Sequence, residues 1–117
     1  MTPSSAKDRE LPEISPSELD AQIQRGDAPT LVDVREPHER EIADLPDLGQ
    51  LRIPLPEFLQ RMSELDPDEP VVLYCRSGSR SGWATRQLLA KGYRKVWNLR
   101  GGLLGWKQEV DPSIQEY

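Results

Sequence analysis

The chain has 117 residues, enough for one compact domain with a modest core and too few for two ordinary ones. Hydrophobic residues make up 36% and charged residues 30%, a mix that excludes a disordered or membrane-embedded chain. The formal net charge of −5 argues against nonspecific binding to nucleic acid or acidic membranes.

Residues 1–12 read as a flexible lead-in and residues 13–117 as a single domain. Met1 to Glu10 is polar and charged and does not read as a secretory signal. No apolar run approaches the roughly 20 residues that span a bilayer. Ile14-Ser15-Pro16-Ser17-Glu18-Leu19 is a helix start: Ser15 as N-cap, Pro16 as first helical residue, Glu18 as capping-box partner. Ile14 and Leu19 are spaced for a hydrophobic staple, and Gly26 is a natural stop. Thr30 to Val34 is a short buried strand, Pro37 to Ala43 a short helix, and Leu51 to Ile53 a strand ended by Pro54. Pro56 to Leu65 fits a helix with Phe58, Met62 and Leu65 on one face. After the turn-rich Asp66-Pro67-Asp68-Glu69-Pro70, Val71 to Tyr74 is a continuous apolar strand of the parallel-sheet kind. Ser81 to Lys91 is a helix stopped by Gly92, Lys95 to Leu99 a strand, and Leu103 to Gln108 a short helix carrying Trp106. Strands alternating with helices predict an α/β domain: a central, mainly parallel sheet with helices on both faces.

Cys75 is the only cysteine, and it stands where the Val71–Tyr74 strand ends. One cysteine cannot form an internal disulfide, and a reducing, cytoplasmic setting is the simplest expectation. Ligands of parallel sheets bind beyond the carboxyl ends of strands, which is where Cys75 falls. The segment Arg76-Ser77-Gly78-Ser79-Arg80 then leads into a helix. Its small residues let the backbone curl and turn amides inward, while Arg76 and Arg80 add permanent cations. Such surroundings stabilise a thiolate, a persulfide or an anionic substrate. A buried structural cysteine is the alternative reading.

Two other chemistries fit less well. The cysteine phosphatases place an arginine after Cys and five residues, whereas five residues here lead to Ser81 and the arginine stands one step early at Arg80. A tetrahedral phosphoryl group needs a wider ring of amides, so this loop counts against phosphatase or arsenate reductase activity. His38 is the only histidine and lies in the charged run Glu36–Glu41, where it reads as a solvated surface residue rather than a catalytic base. One Cys and one His do not make a zinc site. Trp83, Trp97 and Trp106 lie on separate elements with apolar neighbours, and core packing or partial exposure is expected for each.

From about Ile14 to Trp106 the chain resembles the rhodanese (sulfurtransferase) family. Asp33-Val34-Arg35-Glu36-Pro37 resembles its Asp-x-Arg motif, Cys75 to Arg80 its six-residue active-site loop, and Gly101-Gly102 followed by Trp106 its C-terminal signature. The resemblance implies a rhodanese-like three-layer fold and a persulfide mechanism. Cys75 would take the outer sulfur of a small anionic donor such as thiosulfate and pass it to a thiophilic acceptor, cyanide in assays. The loop residues Arg76, Ser77, Gly78, Ser79 and Arg80 would cradle the persulfide and attract the donor, with no metal or organic cofactor. Asp33 would help orient the loop. Arg35 would either bind substrate or pair structurally. The family's Gly-His-Ile segment is replaced here by Ile42 to Pro54, without the histidine. With Val110-Asp111-Pro112-Ser113, the chain is similar to rhodanese domains fused behind ubiquitin-activating-like adenylyltransferases. That likeness implies a cysteine desulfurase or a ubiquitin-like sulfur carrier as partner. Noncatalytic rhodanese-like interaction modules are the other class to weigh. They often lack the cysteine or have a degraded loop, and this chain retains both.

Overall fold

The computed structural model describes residues 11–117, so most of the lead-in expected over residues 1–12 lies outside the described residues. Five strands form one sheet: β1 (Glu13–Ile14), β2 (Thr30–Asp33), β3 (Leu51–Arg52), β4 (Val71–Tyr74) and β5 (Val96–Leu99). Their order is β1-β5-β4-β2-β3, and every neighbouring pair is parallel. The helices are α1 (Pro16–Gln24), α2 (Phe58–Arg61), α3 (Ser79–Ala90) and α4 (Gly102–Glu109).

The alternation along β4 explains the layers. Successive strand residues point to opposite faces. Val71 and Leu73 therefore join the cluster that holds Phe58 of α2 and Ala84 and Leu88 of α3. Val72 and Tyr74 join the opposite cluster, with Leu19 of α1 and Leu103 and Trp106 of α4. All four β4 residues are buried, as the unbroken apolar run requires for a central parallel strand. The next residue, Cys75, continues the alternation and enters the α2/α3 side.

The capping box at α1 forms as the sequence reads. The Glu18 N–H donates to Ser15 Oγ at 3.1 Å, and the Ser15 N–H donates to Glu18 Oε1 at 2.9 Å. Other boundaries differ. Ile14, expected as a staple residue, is buried in the same cluster as Leu19 and pairs with Leu99 as part of an edge strand. Pro37–Glu41 is a 3-10 turn rather than a helix to Ala43. The helix expected over residues 56–65 is broken into 3-10 (Leu55–Glu57), α2, and 3-10 (Met62–Glu64). Tertiary contacts compete with its helical ladder: the Tyr93 hydroxyl lies 3.2 Å from the Met62 carbonyl and 2.8 Å from that of Leu65. Phe58, Met62 and Leu65 are still buried together. Helix α3 begins at Ser79, two residues earlier than expected, so the second half of the six-residue loop is the helix's first turn.

Candidate active site

Cys75 is fully buried, and the chain folds over it in a tight turn. Gly78 adopts φ +107°, a conformation that disfavours side chains, and it caps α3. The turn aims the Gly78 N–H at Cys75 Sγ (3.1 Å), and the first turn of α3 adds the Ser81 N–H (3.4 Å). The Ser81 hydroxyl stands 3.3 Å from the same sulfur and 2.6 Å from Asn98 Oδ1. On the outer side of the loop, α4 takes up the carbonyls. Leu103 N–H donates to Cys75 O and Leu104 N–H to Arg76 O, both at 3.0 Å. With these carbonyls held by one helix, the sulfur faces donors at the N-terminus of another, the arrangement that favours negative charge.

The cations are less free than a reading of the loop alone implies. Arg80 grips Glu39 with both terminal nitrogens, at 2.8 and 2.9 Å. Tyr117 Oη donates to Glu39 Oε1 at 3.0 Å and accepts from Arg35 Nη1 at 2.8 Å. Arg76 donates through Nε to the Tyr117 carbonyl, and its guanidinium lies 5.5 Å from the centre of the Tyr117 ring. Arg80 holds the Glu39 carboxyl down at about 2, well below its ordinary 4.5. Arg80 is raised in turn, chiefly by that same bond. A depressed carboxyl pKa stabilises the fold above the ordinary value, and the increment disappears as the folded-state pKa is approached. Wild-type protein should therefore lose stability between about pH 4.5 and pH 2 through Glu39. Glu39→Gln should flatten that part of a stability-versus-pH curve measured by urea unfolding. An unchanged curve would show that the pair does not persist in solution.

Asp33 and Arg35 form a separate buried group beside the site. The Asp33 carboxylate accepts from Arg35 N–H (3.0 Å), Nε (2.9 Å) and Nη2 (3.1 Å), and from Arg52 Nη1 (2.7 Å). Asp44 binds Arg35 Nη2 at 3.2 Å, Arg52 Nη2 at 2.7 Å and the Tyr74 hydroxyl at 2.7 Å. Burial works against the Arg35 charge, but hydrogen bonds to Asp33 and Tyr117 outweigh it and raise its pKa. Burial, with the charges of Asp33 and Asp44, pushes the Tyr74 hydroxyl above its usual range. The Arg35 guanidinium is fully buried and also reaches the Ala43 and Glu39 carbonyls. Its side chain bonds to no residue of Cys75–Arg80; it meets the loop through Tyr117 and Glu39, which hold Arg76 and Arg80. Lysine cannot reproduce this forked set of bonds. Arg35→Lys should cost about 2–3 kcal/mol in denaturant unfolding, and a loss below about 0.5 kcal/mol would contradict a structural pairing.

The structure thus brings Cys75, Gly78 and Arg80 together, leaves Ser77 and Ser79 exposed, and buries Asp33 and Arg35 in a group of their own. Reading the residues in order misses Ser81, Asn98, Glu39, Asp44 and Tyr117. Asn98 did carry a signal: an amide inside the apolar run Val96–Leu99 must find partners when buried. His38 is exposed, and Trp83 is 39% exposed with its ring packed edge-on to Phe58. Among the described residues no His, Cys, Asp and Glu side chains converge to hold a metal ion, and no helix is long and apolar enough to cross a membrane.

Known proteins share this fold. A solved rhodanese-related protein from Thermoplasma volcanium superposes with a TM-score of 0.75 at 27% identity, covering 86% of this chain and 94% of that one. A sulfurtransferase of Allochromatium vinosum is 43% identical over 84 residues, 72% of this chain and 77% of its own length. The probable adenylyltransferase/sulfurtransferase MoeZ of Mycobacterium tuberculosis is 32% identical over 108 residues, but the match spans only 26% of that protein. The family model for the rhodanese-like domain matches residues 15–109, from the α1 cap to the last residue of α4 and across the whole Cys75 loop, and the chain belongs to that family.

Proposed function

We propose that this protein is a sulfurtransferase that carries sulfane sulfur as a persulfide on Cys75. The observation that carries the reading is the pair of backbone N–H groups, from Gly78 and Ser81, aimed at the sulfur of the chain's single cysteine. Main-chain donors cost little to preorganise and favour an anionic sulfur at that point. Loading proceeds by attack of the Cys75 thiolate on the outer sulfur of thiosulfate or of a persulfide donor. With thiosulfate, a bond forms to Sγ, the bond to the sulfonate sulfur breaks, and sulfite leaves with its electron pair. The negative charge then sits on the outer sulfur of the persulfide. In discharge, a thiophilic acceptor attacks that outer sulfur and the electron pair returns to Sγ. One cysteine suffices because the intermediate is covalent.

Donor approach is assigned to the exposed side of the loop, at Ser77 and Ser79, with the half-buried Arg76 and Arg80 as its neighbours in the chain. Asp33 and Arg35 act as holders of the loop's surroundings. A cysteine desulfurase is the proposed source of sulfur in the cell, and a ubiquitin-like carrier the proposed recipient. Support for a carrier as recipient is the similarity to the MoeZ type of protein, whose name joins adenylyl transfer to sulfur transfer.

The test is intact-protein mass spectrometry after incubation with thiosulfate and then with cyanide. Gain of one sulfur, lost on cyanide addition, is the expected result. No gain from thiosulfate or from a desulfurase with cysteine would overturn the reading in favour of an interaction module. Glu39→Gln adds a second check. Releasing Arg80 from its carboxylate should speed loading at low thiosulfate by roughly two- to fivefold, with stronger salt dependence. Unchanged loading would remove Arg80 from donor attraction.

A further inference from the structure

We infer that the Ser81 hydroxyl is a switch that turns between Asn98 and Cys75 with the charge on the sulfur, and that Asn98 is the positioning residue that sets its balance. The inference rests on the persulfide reading for its place in the cycle, although its geometry does not. Asn98 is buried on β5, and its Nδ2 donates to the Gly78 carbonyl at 3.0 Å. A carbonyl can only accept, so this contact fixes the amide orientation and turns Oδ1 toward Ser81. Oδ1 is likewise an acceptor only, and at 2.6 Å it takes the single proton of the Ser81 hydroxyl. While that bond exists, Ser81 Oγ can only accept from the sulfur 3.3 Å away. The neutral thiol satisfies this arrangement: S–H to Ser81 Oγ, and Ser81 O–H to Asn98 Oδ1.

A thiolate reverses the demand. It can only accept, and the Ser81 hydroxyl serves it only by leaving Asn98. One hydroxyl with one proton cannot serve both acceptors. The charge moves during turnover, from Sγ to the outer sulfur on loading and back to Sγ on discharge. Ser81 therefore releases the sulfur when the persulfide forms and returns to it as the acceptor pulls the outer sulfur away. Its contribution falls on discharge, where Sγ is the leaving group. Arg80 interacts with Cys75 across α3 and is neutralised by Glu39 of the 3-10 turn, while Arg76 follows Cys75 in the loop. Glu13 of β1 lies 3.5 Å from Asn98 Nδ2.

Two substitutions have opposite expected signs, which a merely structural role would not produce. Ser81→Ala removes the hydroxyl donor. Iodoacetamide alkylation of Cys75 at neutral pH should slow roughly tenfold, its pH profile should move to higher pH, and cyanide discharge of the preformed persulfide should slow comparably. Asn98→Ala frees the hydroxyl for the sulfur, and its alkylation profile should move to lower pH. Ser81→Thr keeps the hydroxyl and should recover most of the alkylation and discharge rate lost in Ser81→Ala. Shifts of the same sign in Ser81→Ala and Asn98→Ala, or no shift in Ser81→Ala, would overturn the switch. If Asn98→Ala does not fold, equal losses in Ser81→Ala and Ser81→Thr overturn it instead. Alkylation shifts of the expected signs in a protein that never gains sulfur would refute the persulfide reading and leave the switch standing.

Discussion

Cys75→Ser is expected to abolish sulfur loading, a loss of at least about a thousandfold, while the protein still folds. The chain holds no second thiol, so a persulfide formed anywhere on its side chains must form at Cys75. An alcohol at this position is a weak nucleophile without an adjacent base, and His38 is exposed on the surface. The fold tolerates the change because the site already supplies what a buried hydroxyl needs. Gly78 and Ser81 N–H groups point at the substituted atom, and Ser81 Oγ can accept its proton. The stability loss should stay within about 1–2 kcal/mol. The measurement is intact mass after thiosulfate, with thermal unfolding of the same sample. A variant that melts like wild type and gains no sulfur places the chemistry on Cys75. Sulfur gained by the variant would show a noncovalent or adventitious adduct and would sink the mechanism.

The layered fold was legible because its signals are local. A fully apolar run such as Val71–Tyr74 announces a strand buried on both faces, and a capping box such as Ser15/Glu18 announces where a helix starts. The edge strand Glu13–Ile14 was not legible, since two residues carry no periodicity. The thiol and its small-residue loop were legible for the same local reason. What was not is the counter-charge. Glu39 sits in Glu36–Glu41, a run that reads as solvated, yet it is buried. Its partner Arg80 is 41 residues away, and only the parallel pairing of β2 with β4 brings the two strand ends side by side. Counting the loop arginines as free cations therefore overstates the positive field at the sulfur. The backbone amides carry more of the stabilisation than the arginine count implies.

Gly102→Ala is expected to have the largest effect on stability of any alanine placed at one of this chain's glycines. Gly102 adopts φ +56°, and a Cβ there would lie 2.4 Å from the Cys75 carbonyl oxygen and 2.6 Å from that of Arg76. Both atoms are backbone, so relief requires moving the loop or the start of α4. Those same carbonyls accept the Leu103 and Leu104 N–H groups, so any retreat also breaks two backbone hydrogen bonds. Left-handed strain and the collision together should cost about 3–5 kcal/mol, lowering the melting temperature by roughly 10–20 °C. Gly26→Ala provides the comparison. Gly26 has φ +82° but nothing within 4 Å of its added Cβ, so strain alone should cost about 1 kcal/mol. The difference between the two variants measures the close approach of α4 to the loop. It also bears on function, because the α4 N-terminus turns the Cys75 and Arg76 carbonyls away from the sulfur. A folded remnant of Gly102→Ala should load sulfur more slowly than Gly26→Ala at the same folded fraction. Equal loading would mean that the loop amides hold their aim without α4, and that the glycine pair serves packing alone.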